Sequence, residues 1–224
     1  MIHRILTVGL LAGLLAGIVV ATLQHFVTTP LILQGEVYEA QQPAEPQEMA
    51  GMDDWKPADG LQRIAFTSIA TIATAAGFAL ILLAGMLISG DEITVKTAFV
   101  WSLAAFVAAG LAPALGLAPE LPGSAAGPLL ERQLWWVGTA ISTGVALWLF
   151  LRVESLTAKA VAVVLLAAPH LIGAPQPVSF ESNAPAELAA HFAAASLTIQ
   201  AALWILSGLA AGALWVRFNK GTQA

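Results

Sequence analysis

The chain has 224 residues, 58% hydrophobic and 10% charged, with a net charge of −5 and a mean hydropathy of +0.80. Soluble domains carry about 45–50% apolar and about 25% charged residues, so the composition excludes a soluble fold and predicts an all-α integral membrane protein. There is no cysteine, which excludes disulfides, thiolate metal ligands, iron–sulfur clusters and a cysteine nucleophile.

Residues 5–27 form the first apolar run, long enough to span at about 20 residues per crossing. His3 and Arg4 precede it and predict a cytoplasmic amino terminus. Gly9, Gly13 and Gly17 recur every four residues on one face, a spacing that lets another helix pack closely. The run exceeds the roughly 7–15-residue core of a signal peptide, so it reads as an uncleaved span although Val19-Val20-Ala21 resembles a cleavage site. Residues 28–62 then form an acidic extracytoplasmic loop. It carries Glu36, Glu39, Glu45, Glu48, Asp53, Asp54 and Asp59 against Lys56, is broken by Pro43, Pro46 and Pro57, and opens on a short interfacial helix near 30–40.

The second span is 64–89. Its Thr67, Thr71 and Thr74 share a face at i, i+4 and i+7, with Ser68 alongside. Such hydroxyls either bond back to the preceding turn or line a path for a hydrated ion. The third span, 97–117, starts near Trp101 and leaves through Pro113, Pro119, Pro122 and Gly123 around Glu120. The fourth, 133–151, has Trp135 and Trp136 at one interface and Trp148 near the other, an aromatic belt; Arg132 before it reads as a headgroup anchor. Residues 157–172 are apolar but give only about 24 Å of helix against a hydrocarbon core of about 30 Å. The bundle therefore has six spans, or five if this segment dips in and returns. The last span, 188–218, opens with His191, holds Gln200 near its middle, and carries a second close-packing pair, Gly208 and Gly212. The whole chain, 1–224, reads as a single transmembrane domain.

With six spans, Arg4, Lys96, Arg152, Lys159, Arg217 and Lys220 are cytoplasmic, and Lys56, Arg63 and Arg132 are outside, in keeping with the positive-inside rule. Most of the 14 acids fall outside, where they concentrate cations. His25, His170 and His191 then share the outer interface. His170 lies between two prolines in Pro169-His170-Leu171-Ile172-Gly173-Ala174-Pro175. With Glu36 and Glu39 these imidazoles predict a nitrogen/oxygen site for divalent cobalt, nickel or zinc, His170 foremost. The plainer alternative is an interfacial ring with an apolar body and a polar tip. From such a site an ion would pass Thr67, Thr71 and Thr74 toward Gln200. Met49 and Met52 are a minor alternative, since thioethers favour Cu(I).

Other classes are excluded by absence. There is no phosphate-binding loop and no H-E-x-x-H or G-x-S-x-G motif. No ionisable residue lies mid-span, where a proton relay would need one. We expect no enzyme, no permanently bound cofactor and no nucleic-acid partner.

An ordered set of segments now carries a resemblance. It comprises Gly13-Leu14-Leu15-Ala16-Gly17 running to Gln24-His25, then Pro30-Leu31-Ile32, Glu36-Val37-Tyr38-Glu39, Pro119-Glu120-Leu121-Pro122-Gly123, Arg132 to Trp136, the Pro169–Pro175 stretch, and Phe192 through Trp204. Together these resemble the CbtA family of predicted cobalt transporter subunits, nearly end to end. The resemblance implies a multi-pass protein of the bacterial cytoplasmic membrane that takes up cobalt(II) for cobalamin synthesis. It also implies a partner, a small one-span CbtB-type subunit with a histidine-rich terminus, and five spans rather than six. It brings no ligand set. The expected function is a metal permease subunit. The alternative is a non-transporting membrane scaffold for a metal-binding partner, and a homo-oligomer is compatible with either.

Overall fold

In lipid every backbone polar group must be satisfied internally, and helices do this within each segment. The computed structural model describes residues 2–40, 57–125, 127–179 and 182–220, apart from the side chain of Lys220. Glu45, Glu48, Met49, Met52, Asp53, Asp54, Lys56 and Glu181 lie outside the described residues. Among the described residues the regular structure is helical: α1 (Ile2–Val27), α2 (Thr29–Glu39), α3 (Leu61–Ile88), α4 (Val95–Ala114), α5 (Leu129–Arg152), α6 (Leu156–Ile172) and α7 (Ala186–Lys220). Five of them, α1, α3, α4, α5 and α7, are long and apolar enough to cross a membrane, whereas α6 has 17 residues.

The six helices other than α2 alternate in direction. At the start of α1, the Arg4 Nη2 donates to the Trp215 carbonyl near the end of α7 at 2.9 Å, and its guanidinium sits 3.8 Å from the Trp215 ring. Arg4 also bonds the Asn219 side chain. The start of α1 and the end of α7 therefore meet at one end of the bundle, the terminus end; the other is the loop end. Helix α6 runs antiparallel to α5, since Ser142 Oγ donates to the Leu165 carbonyl at 2.7 Å and Trp135 Nε1 to the Pro169 carbonyl at 3.3 Å. Short as it is, about 25 Å, α6 returns the chain to the loop end. Six helices thus traverse the bundle, and the even number is what brings the termini together.

Small residues decide how closely the helices pack. Gly9, Gly13 and Gly17 seat α1 on Leu80, Ala76 and Ile72 of α3; a Cβ on Gly17 would lie 2.5 Å from Ile72 Cα. Gly208 and Gly212 seat α7 on α4, where added Cβ atoms would meet Ser102 Cβ at 2.6 Å and Ala98 Cβ at 2.8 Å. Van der Waals contact of this kind, rather than exclusion of water, drives helix association in lipid. Phe78 of α3 stacks on Trp204 of α7 with ring centroids 3.6 Å apart and planes at 10°.

Helix α4 is interrupted by a π-turn over Val107–Leu111. Pro113 follows it. A proline offers no N–H and its ring crowds the carbonyl four residues back, here Ala109, and the wider π-turn relieves that clash. The helix ends at Ala114 rather than at 117: the Leu115 and Gly116 N–H groups bond three residues back, to the Ala112 and Pro113 carbonyls at 3.2 and 3.1 Å, and this tightened turn closes it. At the loop end Leu31, Leu121, Phe192 and Ala195 form a small buried cluster joining α2, the connection after α4, and α7.

Candidate functional site

Two cavities lie at the loop end. The smaller, of about 320 Å³, is formed where α1 gives way to α2 and α3 begins. Pro30 sits in the first turn of α2, so the bond its missing N–H would have made to the preceding turn is lost and α1 stops at Val27. The walls include Gln24, His25, Thr29, Asp59, Thr67 and Ser68. Arg63 closes one side. Its guanidinium grips both Glu36 carboxylate oxygens, Nη1 to Oε2 at 2.9 Å, and reaches Asp59 Oδ1 at 3.3 Å. A bidentate arginine–carboxylate pair is among the stronger hydrogen-bonded contacts.

The larger cavity is a cleft of about 610 Å³ between the end of α4 and the start of α5, reaching α7. Glu120 and Arg132 stand at its rim as an ion pair. Gln133 and Trp136, both exposed, line it from α5, and Gln200 lines it from α7. The π-turn brings Gly110 opposite Gln200: a Cβ there would be 2.9 Å from Gln200 Oε1 and from Phe106. The missing side chain is what leaves space for the carboxamide. A polar group at this depth, with oxygen donors from rim to mid-helix, can replace waters around a small cation.

Residues 2–216 match the family described as "Probable cobalt transporter subunit (CbtA)". The chain belongs to the CbtA family. No curated protein and no solved structure matches it. The five helices long enough to span agree with the multi-pass membrane protein that a CbtA transporter subunit requires.

In this CbtA-family chain the expected metal residues do not share one site. Among the described residues no group of three or more His, Asp or Glu side chains could hold a metal ion. His25 lines the smaller cavity, with Thr67. His170 is exposed on the last turn of α6, its ring edge-on to Trp135 with centroids 6.0 Å apart. His191 is exposed in the first turns of α7. A common depth, read from span ends, does not fix angular position around a bundle, and the three belong to different helices. Glu36 is engaged by Arg63, and Glu39 is exposed beside the turn at Gly123.

The threonine stripe is likewise divided. Thr71 is buried and donates to Gln24 Oε1 at 2.6 Å, whereas Thr74 is exposed and bonds back to the Ala70 carbonyl at 2.9 Å. Thr67, Thr71 and Thr74 therefore do not line one route to Gln200, which lies in the other cavity. Arg132, expected as a headgroup anchor, is instead the partner of Glu120. Pro113 within an apolar run was the available signal for the π-turn. The Glu120–Arg132 pairing, across a proline-rich connection, had none.

Proposed function

We propose that this chain is the membrane-spanning subunit through which cobalt(II), as cargo, is taken up. The ion enters at the loop end by the cleft from Glu120 to Gln200. The observation that carries this reading is that the side-chain oxygens of Glu120, Gln133 and Gln200 line one cleft, Gln200 from the middle of α7. Conduction needs sites strong enough to admit an ion and weak enough to release it. Arg132, paired with Glu120, moderates the carboxylate in that sense. His25, which shares its cavity with Asp59, is the imidazole we retain as a first contact. His170, His191 and Glu39 are rim groups, and Glu36 is held by Arg63.

The loop end faces outward from a bacterial cytoplasmic membrane and the amino terminus lies inside. Arg4, Arg152 and Arg217 at the terminus end support this orientation. The family's description as a subunit supports a partner, which we take to be a small one-span metal-binding chain of CbtB type that completes the ligand shell.

Cobalt accumulation in cells expressing the chain, with and without that partner, tests the reading. Wild type should accumulate cobalt, and Gln200→Leu should fall to about a tenth, the loss of roughly 1.4 kcal/mol, at equal membrane abundance. Unchanged accumulation by a Glu120→Gln/Gln200→Leu double variant would remove the cleft from the path. Cobalt bound by the complex but never accumulated would establish the scaffold reading instead.

A further inference from the structure

A second cleft, of about 650 Å³, opens at the terminus end, and it too lies between α4 and α5. Its walls are apolar, with Val100, Ala104 and Ala108 facing Gly144 and Leu147. Its mouth is held by Arg152 paired with Asp91, whose Oδ2 also accepts from Trp101 Nε1 at 2.8 Å. The two clefts are built alike. Helix α5 has an arginine at each end, and each pairs with a carboxylate flanking α4: Arg132 with Glu120, Arg152 with Asp91.

The clefts approach within one residue on α4. Ala109 lines the loop-end cleft and Ala108 the terminus-end cleft, and both belong to the π-turn. On α5 the lining passes from Val137 to Gly144. That interval holds Thr139 and Thr143, each 1% exposed, whose hydroxyls make no hydrogen bond to a described residue. Leaving a buried hydroxyl unpaired is unfavourable, so this arrangement gains if the helices shift to give those groups a partner. A π-turn is a single-turn irregularity common at functional sites, and converting it to α-helical hydrogen bonding rotates the residues beyond it.

We propose that α4 and α5 are the two walls of the ion path and that the π-turn Val107–Leu111 is its gate. The loop-end and terminus-end clefts are its two vestibules, closed from each other at Ala108–Ala109. The identity of the ion rests on the uptake reading above; the existence of the path does not.

The absence of cysteine makes a direct test available. Ala114→Cys and Ala105→Cys are introduced singly into the full chain and exposed to a charged, membrane-impermeant thiol reagent in intact cells and in inverted vesicles. We expect Ala114→Cys to react only from the loop-end side and Ala105→Cys only from the terminus side. Gly110→Val, which fills the space against Gln200 and Phe106, should reduce cobalt accumulation at least tenfold and leave both labelling patterns unchanged, the patterns serving as its folding control. Failure of Ala105→Cys to react from either side, reaction of both from one side, or wild-type transport by Gly110→Val each overturns the gate. If wild type accumulates no cobalt but the sidedness holds, the path stands and the cargo assignment falls.

Discussion

At the residue scale, a missing side chain does as much as one present. Gly13 lies directly on the Ala76 backbone of α3, and no rotamer of a larger residue avoids that contact. Gly13→Val should destabilise the bundle by about 1–3 kcal/mol, read as a lower midpoint of thermal unfolding in detergent. An unchanged midpoint would mean that α1 and α3 are not packed as described. Glycine spacing announced the close approach; which helix it serves depended on the packing. Among the histidines, His25→Ala should lower cobalt accumulation by about tenfold, roughly 1.4 kcal/mol, and His170→Ala by much less. Both rings are exposed, but His25 shares a cavity with Asp59, whereas His170 lies against Trp135 and lines none of the cavities described above. The reverse order would return His170 to the role its flanking prolines suggested. Each imidazole was visible in the sequence, but its neighbours were set by helix rotation, which hydropathy does not record.

At the scale of elements, two features organise the loop end. The first is the tie of α2 to α3 through Glu36 and Arg63. With side chains 35% and 27% exposed, the pair contributes at most about 1 kcal/mol. Glu36→Gln should therefore change stability by no more than that and leave cobalt accumulation unchanged; abolished accumulation would make Glu36 a ligand after all. The second is the π-turn before Pro113. Replacing Pro113 by Ala restores an N–H and removes the ring that crowds the Ala109 carbonyl. Regular α-helical hydrogen bonding then becomes available through this stretch. Pro113→Ala should raise thermal stability while reducing cobalt accumulation, and a variant that transports normally would separate the π-turn from function. Proline positions are explicit in the sequence, yet proline kinks, stops or widens a helix according to what packs around it. Here Gln200 of α7 fills the space that the widened turn provides.

At the scale of the whole molecule, parity is the issue. Five crossings put the termini on opposite sides of a membrane, whereas six put them together. The contacts of Arg4 with Trp215 and Asn219 require the latter, with α6 counted as a crossing despite its 17 residues. Tags placed before Met1 and after Ala224 should be cleaved by protease from the same face of sealed vesicles, and cleavage from opposite faces would contradict the arrangement. A helix about 5 Å shorter than the hydrocarbon core is accommodated by local thinning of the bilayer, so length alone could not decide the count.

The sequence by itself determined that the chain is a helical membrane protein, roughly where its helices run, which residues are small enough for close packing, and which family it resembles. These follow from composition and local pattern, because in lipid the solvent imposes helices and their length. Only the tertiary structure decided that α6 completes an even number of traverses, that the three outer histidines belong to different surroundings, that Arg132 and Arg63 belong to carboxylates, and that two clefts approach each other at a π-turn. Each of these depends on how helices are rotated and paired about one another. That information lies in contacts between residues as far apart as Arg4 and Trp215, or Gly110 and Gln200, and no local pattern along the chain contains it.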